Sequence, residues 1–193
     1  MGYRWLLFCP QLPSTPSSPR VLVWRRMRMA GSVGLDNGIW ALPHSSEAQT
    51  FIREMQSYVQ SQGGTSRVFV AEALDSHNEE AILARFREAR AQEYEELDEE
   101  CERFLADLVK ETECRNYSFA EYEENERDLD KLEVWLARVQ KRDFLPGSQA
   151  EHTASLLEQC RQALQAFATR VFDHEERGQA DGQADTSTGE EVS

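Results

Sequence analysis

Arg20, Trp24, Arg25, Arg26 and Arg28 gather four guanidiniums around one indole in a chain whose net charge is −14. Guanidiniums contact phosphate oxygens and an indole stacks on a base, so this group is the candidate nucleic-acid-binding set of the sequence. The alternative is a solvated helix face whose tryptophan belongs to the core, and the two accounts part on whether Trp24 is exposed. Cys9 stands beside Pro10 with no His or Lys next to it, which describes a structural thiol better than a thiolate poised to meet an oxidant. The acidic runs at 93–102 and 121–130 lack the Glu-x-x-His pairs of a helical di-metal centre, because none of His44, His77, His152 or His174 completes one; they are read as solvated faces. The sequence offers no catalytic residue, no metal site and no cofactor, and the expectation is a protein that is not an enzyme. No helix-turn-helix or zinc-finger pattern is present, so DNA contact through so small a patch calls for a dimer.

The charge is unevenly divided. Residues 1–71 hold seven Arg and no Lys against three acids, a net of +4, whereas residues 72–193 carry −18. Opposite fields attract opposite partners, so the basic half points to DNA and the acidic half to a protein partner. With 193 residues and 40% hydrophobic positions, the chain buries a modest core: one domain, or one domain with a large extension. No apolar run approaches a membrane span, and the first is too short and too soon broken by proline for a signal peptide, so no membrane contact and a cytoplasmic location are expected. Four cysteines set far apart do not make a disulfide scaffold and are read as reduced, mostly buried thiols.

The elements that must hold the arginines follow from the local pattern. Trp5-Leu6-Leu7-Phe8 is a short apolar run ahead of Pro10 and Pro13, which suits a central strand buried on both faces. Ser18 and Pro19 set an N-cap beside a preferred first helical residue, and the helix over 20–30 stops at Gly31. Residues 32–35 and 39–42 flank Asp36-Asn37-Gly38, whose Asn-Gly pair supplies the positive φ angles of a hairpin. Ser46 to Gln49 reads as a capping box opening a helix with Phe51, Met55, Tyr58 and Val59 at helical spacing. Gly63-Gly64 ends it, and Arg67-Val68-Phe69-Val70-Ala71 is the fourth strand. The order β-α-β-β-α-β is the ferredoxin-like arrangement, with two helices over one sheet face; the other face needs the helical extension or a second copy to cover it.

Beyond residue 75 the pattern is helical. Capping boxes at Ser76/Glu79, Ser118/Glu121 and Ser148/Glu151 open three helices, each with one apolar stripe. Such stripes imply an antiparallel bundle with acidic outer faces. The expected division is a ferredoxin-like basic domain at 1–75, an acidic three-helix extension at 76–173 and a disordered acidic tail at 174–193. The fold class is therefore α+β.

The order Trp5-Leu6-Leu7, Leu12-Pro13 through Ser17, Arg20-Val21-Leu22-Val23-Trp24-Arg25 and Trp40-Ala41-Leu42-Pro43 resembles the N-terminal domain of the chromate-resistance regulator ChrB. The likeness continues through Phe69-Val70-Ala71-Glu72-Ala73-Leu74 and Phe86-Arg87-Glu88-Ala89-Arg90. It implies a transcriptional regulator of chromate or related stress resistance, while a homodimer is expected from the uncovered sheet face and the apolar stripes of the helices. The family's further C-terminal domain, to which effector sensing is more naturally assigned, is expected to be absent from this chain. The opening also looks like the central domain of the PaaX repressors and the small ferredoxin-fold nucleases of CRISPR adaptation. Those nucleases hold a divalent cation with an aspartate at the end of the first strand, where this chain reads Phe8-Cys9-Pro10-Gln11, so metal-dependent phosphodiester cleavage is not expected. Asp36 is read as a turn former. The competing account is a dimeric interaction module that binds no DNA and presents its acidic helices to a protein partner.

Overall fold

The computed structural model describes residues 2–186. Those residues form an α+β structure, mostly helical, with one four-stranded antiparallel sheet and five α-helices. The chain divides into two compact units, Met1–Gln92 with Arg142–Leu145, and Glu93–Lys141 with the residues from Pro146 on.

In the first unit β1 (Arg4–Gln11) lies between β3 (Trp40–Pro43) and β4 (Thr65–Glu72), and β2 (Val33–Gly34) pairs with β3, giving the order β2-β3-β1-β4. The central position expected for the first apolar run is found. Its pairing is antiparallel on both sides, Leu7 facing Ala41 and Phe69. The strand runs on through Pro10, past the point where a break was expected. Beyond Phe8 it is paired with β4 alone, so the missing N–H costs no bond on the β3 side.

Alternation along β1 sends its side chains to two faces. Leu6 and Phe8 join Leu42, with Val23 and Met27 of α1 (Ser18–Met29) and Ile52, Met55 and Val59 of α2 (Ser46–Ser61), in one buried cluster. On the opposite face Trp5, Val33 and Ala41 pack with Leu83 and Phe86 from the start of α3 (Ser76–Glu113). Phe86 stacks on Trp5 at 5.4 Å between centroids, and Phe144 meets Phe86 edge-on at 4.6 Å. Of the two covers expected for this face, the helical extension is the one present.

The helix ends show how local chemistry sets these boundaries. Ser45 Oγ accepts from Ala48 N at 3.0 Å, and Asp75 Oδ1 accepts from Asn78 N at 2.8 Å, so both caps lie one residue before Ser46 and Ser76. The N-cap of α1 is likewise Ser17, without a side-chain cap bond. Each start offers two adjacent capping residues, and sequence does not choose between them. At the other end of α1 the Gly31 and Ser32 N–H groups donate to the Arg28 and Met27 carbonyls, a Schellman closure with Gly31 at φ 80°. The hairpin is wider than a two-residue turn: Asp36–Gly38 forms one 3₁₀ turn, with Asn37 and Gly38 at positive φ, between strands that pair only from Gly34 to Trp40 outward.

The second unit holds the rest of α3, α4 (Phe119–Arg142, up to Lys141 in this unit) and α5 (Ser148–Thr186). Tyr94, Leu97, Cys101, Phe104 and Leu108 of α3 meet Leu129, Leu132, Leu136 and Val139 of α4. From α5 come Leu157, Cys160, Leu164, Phe167 and Val171, and together they make one continuous core. Asn125, 6% exposed, donates to Glu111 Oε2 at 2.8 Å and to the Glu121 carbonyl at 2.9 Å, which satisfies its buried amide. Cys160 Sγ lies 3.6 Å from the Cys101 carbonyl. Cys101 and Cys160 are buried, but Cys9 is half-buried and Cys114 exposed, so two of the four thiols depart from the expected burial. Helix α5 continues to Thr186, into the segment read as a disordered tail; residues 187–193 of that tail lie outside the described residues. Among the described residues no helix is long and apolar enough to cross a membrane.

Candidate nucleic-acid surface and an adjoining pocket

Helix α1 buries Val23 and Met27 against the sheet, and that choice fixes where its other residues fall. At about 100° per residue, Arg20, Trp24 and Arg28 form an i, i+4, i+8 stripe along one flank, Arg25 points outward, and Arg26 lies on the opposite flank. Trp24 is 51% exposed, so the reading that placed it in the core does not hold. The Arg28 guanidinium sits over its ring, 5.2 Å from the centroid. Arg20 is exposed and donates to the Ser14 carbonyl at 2.8 Å, leaving it anchored at the edge of the Pro/Ser bend. Arg25 is exposed. Arg26 is half-buried and faces Glu54 of α2 at 3.6 Å, an exposed ion pair on the flank away from the stripe. The five residues thus separate into a stripe of three, one outward arginine and one arginine already paired.

The stripe borders a pocket of about 270 Å³ in the first unit, lined by Trp24 and Arg28 of α1, Ser32 to Gly34, Trp40 of β3, and Arg85, Glu88, Arg90 and Gln92 of α3. It lies beside β2, a two-residue edge strand. Ser32 Oγ donates to the Met27 carbonyl at 2.6 Å, so its proton is committed, while Arg85 stands 3.5 Å from Asp36 of the hairpin turn. Arg90 is 6% exposed. A Cβ built on Gly34 would meet nothing within 4 Å.

Sequence reasoning missed Arg85, Arg90 and Trp40 as site residues. The available signal was the run Phe86-Arg87-Glu88-Ala89-Arg90, three basic residues with Arg85 inside a helix that is otherwise acidic. A charge reversed against its surroundings marks a place where a field is needed. In the second unit a recess of about 320 Å³ is lined by Asp107, Glu111, Glu121, Glu124 and Asp128 with Lys110 and Asn125. Among the described residues no group of three or more His, Cys, Asp or Glu is placed to hold a metal ion.

A protein-family model described as Protein ChrB, N-terminal, matches residues 20–178. No curated protein matches the chain.

Proposed function

This chain belongs to the family of the ChrB N-terminal domain, a family of chromate-resistance regulatory proteins, and from that premise we propose that it is a transcriptional regulator of chromate or related stress resistance that contacts DNA through α1. The observation that carries the DNA reading is the exposed stripe of Arg20, Trp24 and Arg28 with Arg25 beside it: guanidiniums for phosphates, next to a half-exposed indole able to stack. The sheet order β2-β3-β1-β4 with α1 and α2 on one face supports the ferredoxin-like reading of the first unit. The protein acts in the cytoplasm and is not an enzyme; purified protein with Mg²⁺ or Mn²⁺ leaves single- and double-stranded nucleic acid intact. Metal-dependent cleavage that survives purification would overturn this part of the reading.

The regulator acts as a homodimer. Support for that no longer comes from an open sheet face, because α3 covers it, but from β4, an edge strand with Phe69 and Val70 about half exposed. Light scattering at tens of micromolar should return twice the chain mass; a monomer mass there sinks the dimer.

The DNA contact is tested by fluorescence anisotropy with duplex DNA from the promoter of the chain's own gene, across a salt series. Affinity falls as salt rises, each neutralised phosphate adding about −0.9 to the log–log slope. Replacing Arg25 and Arg28 by Ala flattens that slope by roughly one unit per lost contact. No binding by the wild type at low salt would instead favour a protein-interaction module that uses the acidic helices.

A further inference from the structure

We propose that the pocket beside β2 is a binding site for a mononucleotide, its phosphate held by Arg28 and Arg85 and its base set against Trp24 and Trp40. The inference goes beyond DNA contact and does not require it, although Arg28 and Trp24 serve both surfaces.

Charge is the first reason. Three arginines and Glu88 line it, and Asp36 stands 3.5 Å from Arg85, so cations still outnumber carboxylates there in a chain of net −14. Guanidiniums present planar, paired donors that match a phosphate or carboxylate edge, and they remain charged at any physiological pH. The second reason is the rings. Two indoles line the same small space, and one of them, Trp24, leaves half its surface in water with a cation over it. A flat π-face beside a cation is what a base joined to a phosphate requires, since stacking and ion pairing are then satisfied by neighbouring groups.

Size decides between an inorganic oxyanion and something larger. A volume of about 270 Å³ is far more than one tetrahedral anion occupies and lies near the lower end of small-molecule pockets, which run from roughly 300 to 1,000 Å³. The remaining polar groups suit a base edge. The Gln92 amide offers both donor and acceptor, and Glu88, which would oppose a bare anion, accepts from an exocyclic amine.

The test is calorimetric titration of the full chain with the four ribonucleoside 5′-monophosphates, with adenosine and inorganic phosphate alongside. At least one monophosphate should bind saturably below about 1 mM, and both adenosine and phosphate should bind about tenfold more weakly or not at all. Phosphate binding as tightly as the nucleotides would reduce the pocket to an anion site and overturn the proposal, as would equal binding of adenosine. Absence of binding by all four nucleotides overturns it outright. Two variants locate the site. Gly34→Glu projects a carboxylate into open space without meeting backbone, and Arg85→Ala removes an exposed guanidinium; each should weaken nucleotide binding at least about tenfold with the melting temperature held. Retained affinity in Arg85→Ala, which does not touch the backbone, places the ligand elsewhere and sinks the assignment even if Gly34→Glu fails to fold.

Discussion

The two units bury their apolar surface in different ways. The sheet unit divides its core between two faces of one central strand and fills the α3 side with packed rings, Trp5 stacked on Phe86 and Phe144 edge-on. The helical unit has a single core, mostly aliphatic, drawn from three helices. Both units pair cations locally, the bundle in Arg103 with Glu100, Lys131 with Asp128 and Arg161 with Glu133 and Glu158, the sheet unit in Arg4 with Glu72 and Arg87 with Glu80. The sheet unit gathers arginines around tryptophan and leaves a pocket between them. A unit that gathers arginines beside an exposed indole at a pocket is suited to bind.

The sharpest way to break this comparison is through the cores. Phe86→Ala removes a ring that is 1% exposed and in contact with two others; urea unfolding should show a loss of about 3–5 kcal/mol. Leu157→Ala in the bundle, also 1% exposed, should cost about 2–5 kcal/mol, toward the lower end if the aliphatic core closes around the gap. A bundle variant that loses clearly more than the ring variant would reverse the ranking. Next in size is Gly31→Ala. Its φ of 80° and a Cβ placed 2.8 Å from Arg142 Cβ and 2.9 Å from the Arg142 carbonyl predict a loss of about 1–3 kcal/mol in the same measurement.

Surface charges separate the units by binding rather than stability. Arg25→Ala with Arg28→Ala should hold stability within about 1 kcal/mol while weakening DNA binding. Arg103→Ala in the bundle, an exposed pair worth about 0–1 kcal/mol, should leave DNA affinity unchanged. If Arg103→Ala weakens DNA binding as much, the binding surface is not confined to the sheet unit.

The smallest expected effect concerns Glu111. Burial, joined by the nearby Glu121, Asp107 and Glu124 carboxylates, raises its carboxyl above the ordinary value, while the Asn125 hydrogen bond opposes the shift. A carboxyl raised on folding binds its proton more tightly in the folded chain. Its charged form therefore costs stability above the raised value, and that cost vanishes as pH falls below the ordinary carboxyl range. Glu111→Gln keeps an acceptor for Asn125 and removes the charge, so thermal unfolding should show a gain of a few tenths of a kcal/mol at pH 7 after solvent screening. The gain should disappear below about pH 4.

Much of this architecture was readable from residue order. Trp5 to Phe8 declared a central strand through continuous apolarity, Gly31 and Gly63 declared helix ends through the backbone conformation they permit, and the apolar stripes of α3, α4 and α5 declared a bundle. The starts of α1, α2 and α3 were displaced by one residue because each offers two capping side chains, whereas Ser118 caps α4 as read. The site was read less completely. The arginines of α1 were visible as a cluster, but their division by helix phase, with Arg26 turned toward Glu54, depends on which face Val23 and Met27 bury. The pocket was not visible at all. It is assembled from residues more than fifty positions apart, brought together by α1, β2, β3 and α3.

The four thiols carry a practical consequence. Cys101 is fully buried, and its hydrogen bond with Cys160 together with burial pushes its thiol up, so an alkylating reagent at neutral pH meets almost no thiolate there. Cys114, exposed just beyond the end of α3, reacts first, and half-buried Cys9 follows more slowly. Limited labelling of the native sequence therefore delivers a spin probe or a fluorophore to one position in the helical unit with no engineered cysteine. Replacing Cys9 by Ser would make that handle unique on the folded protein.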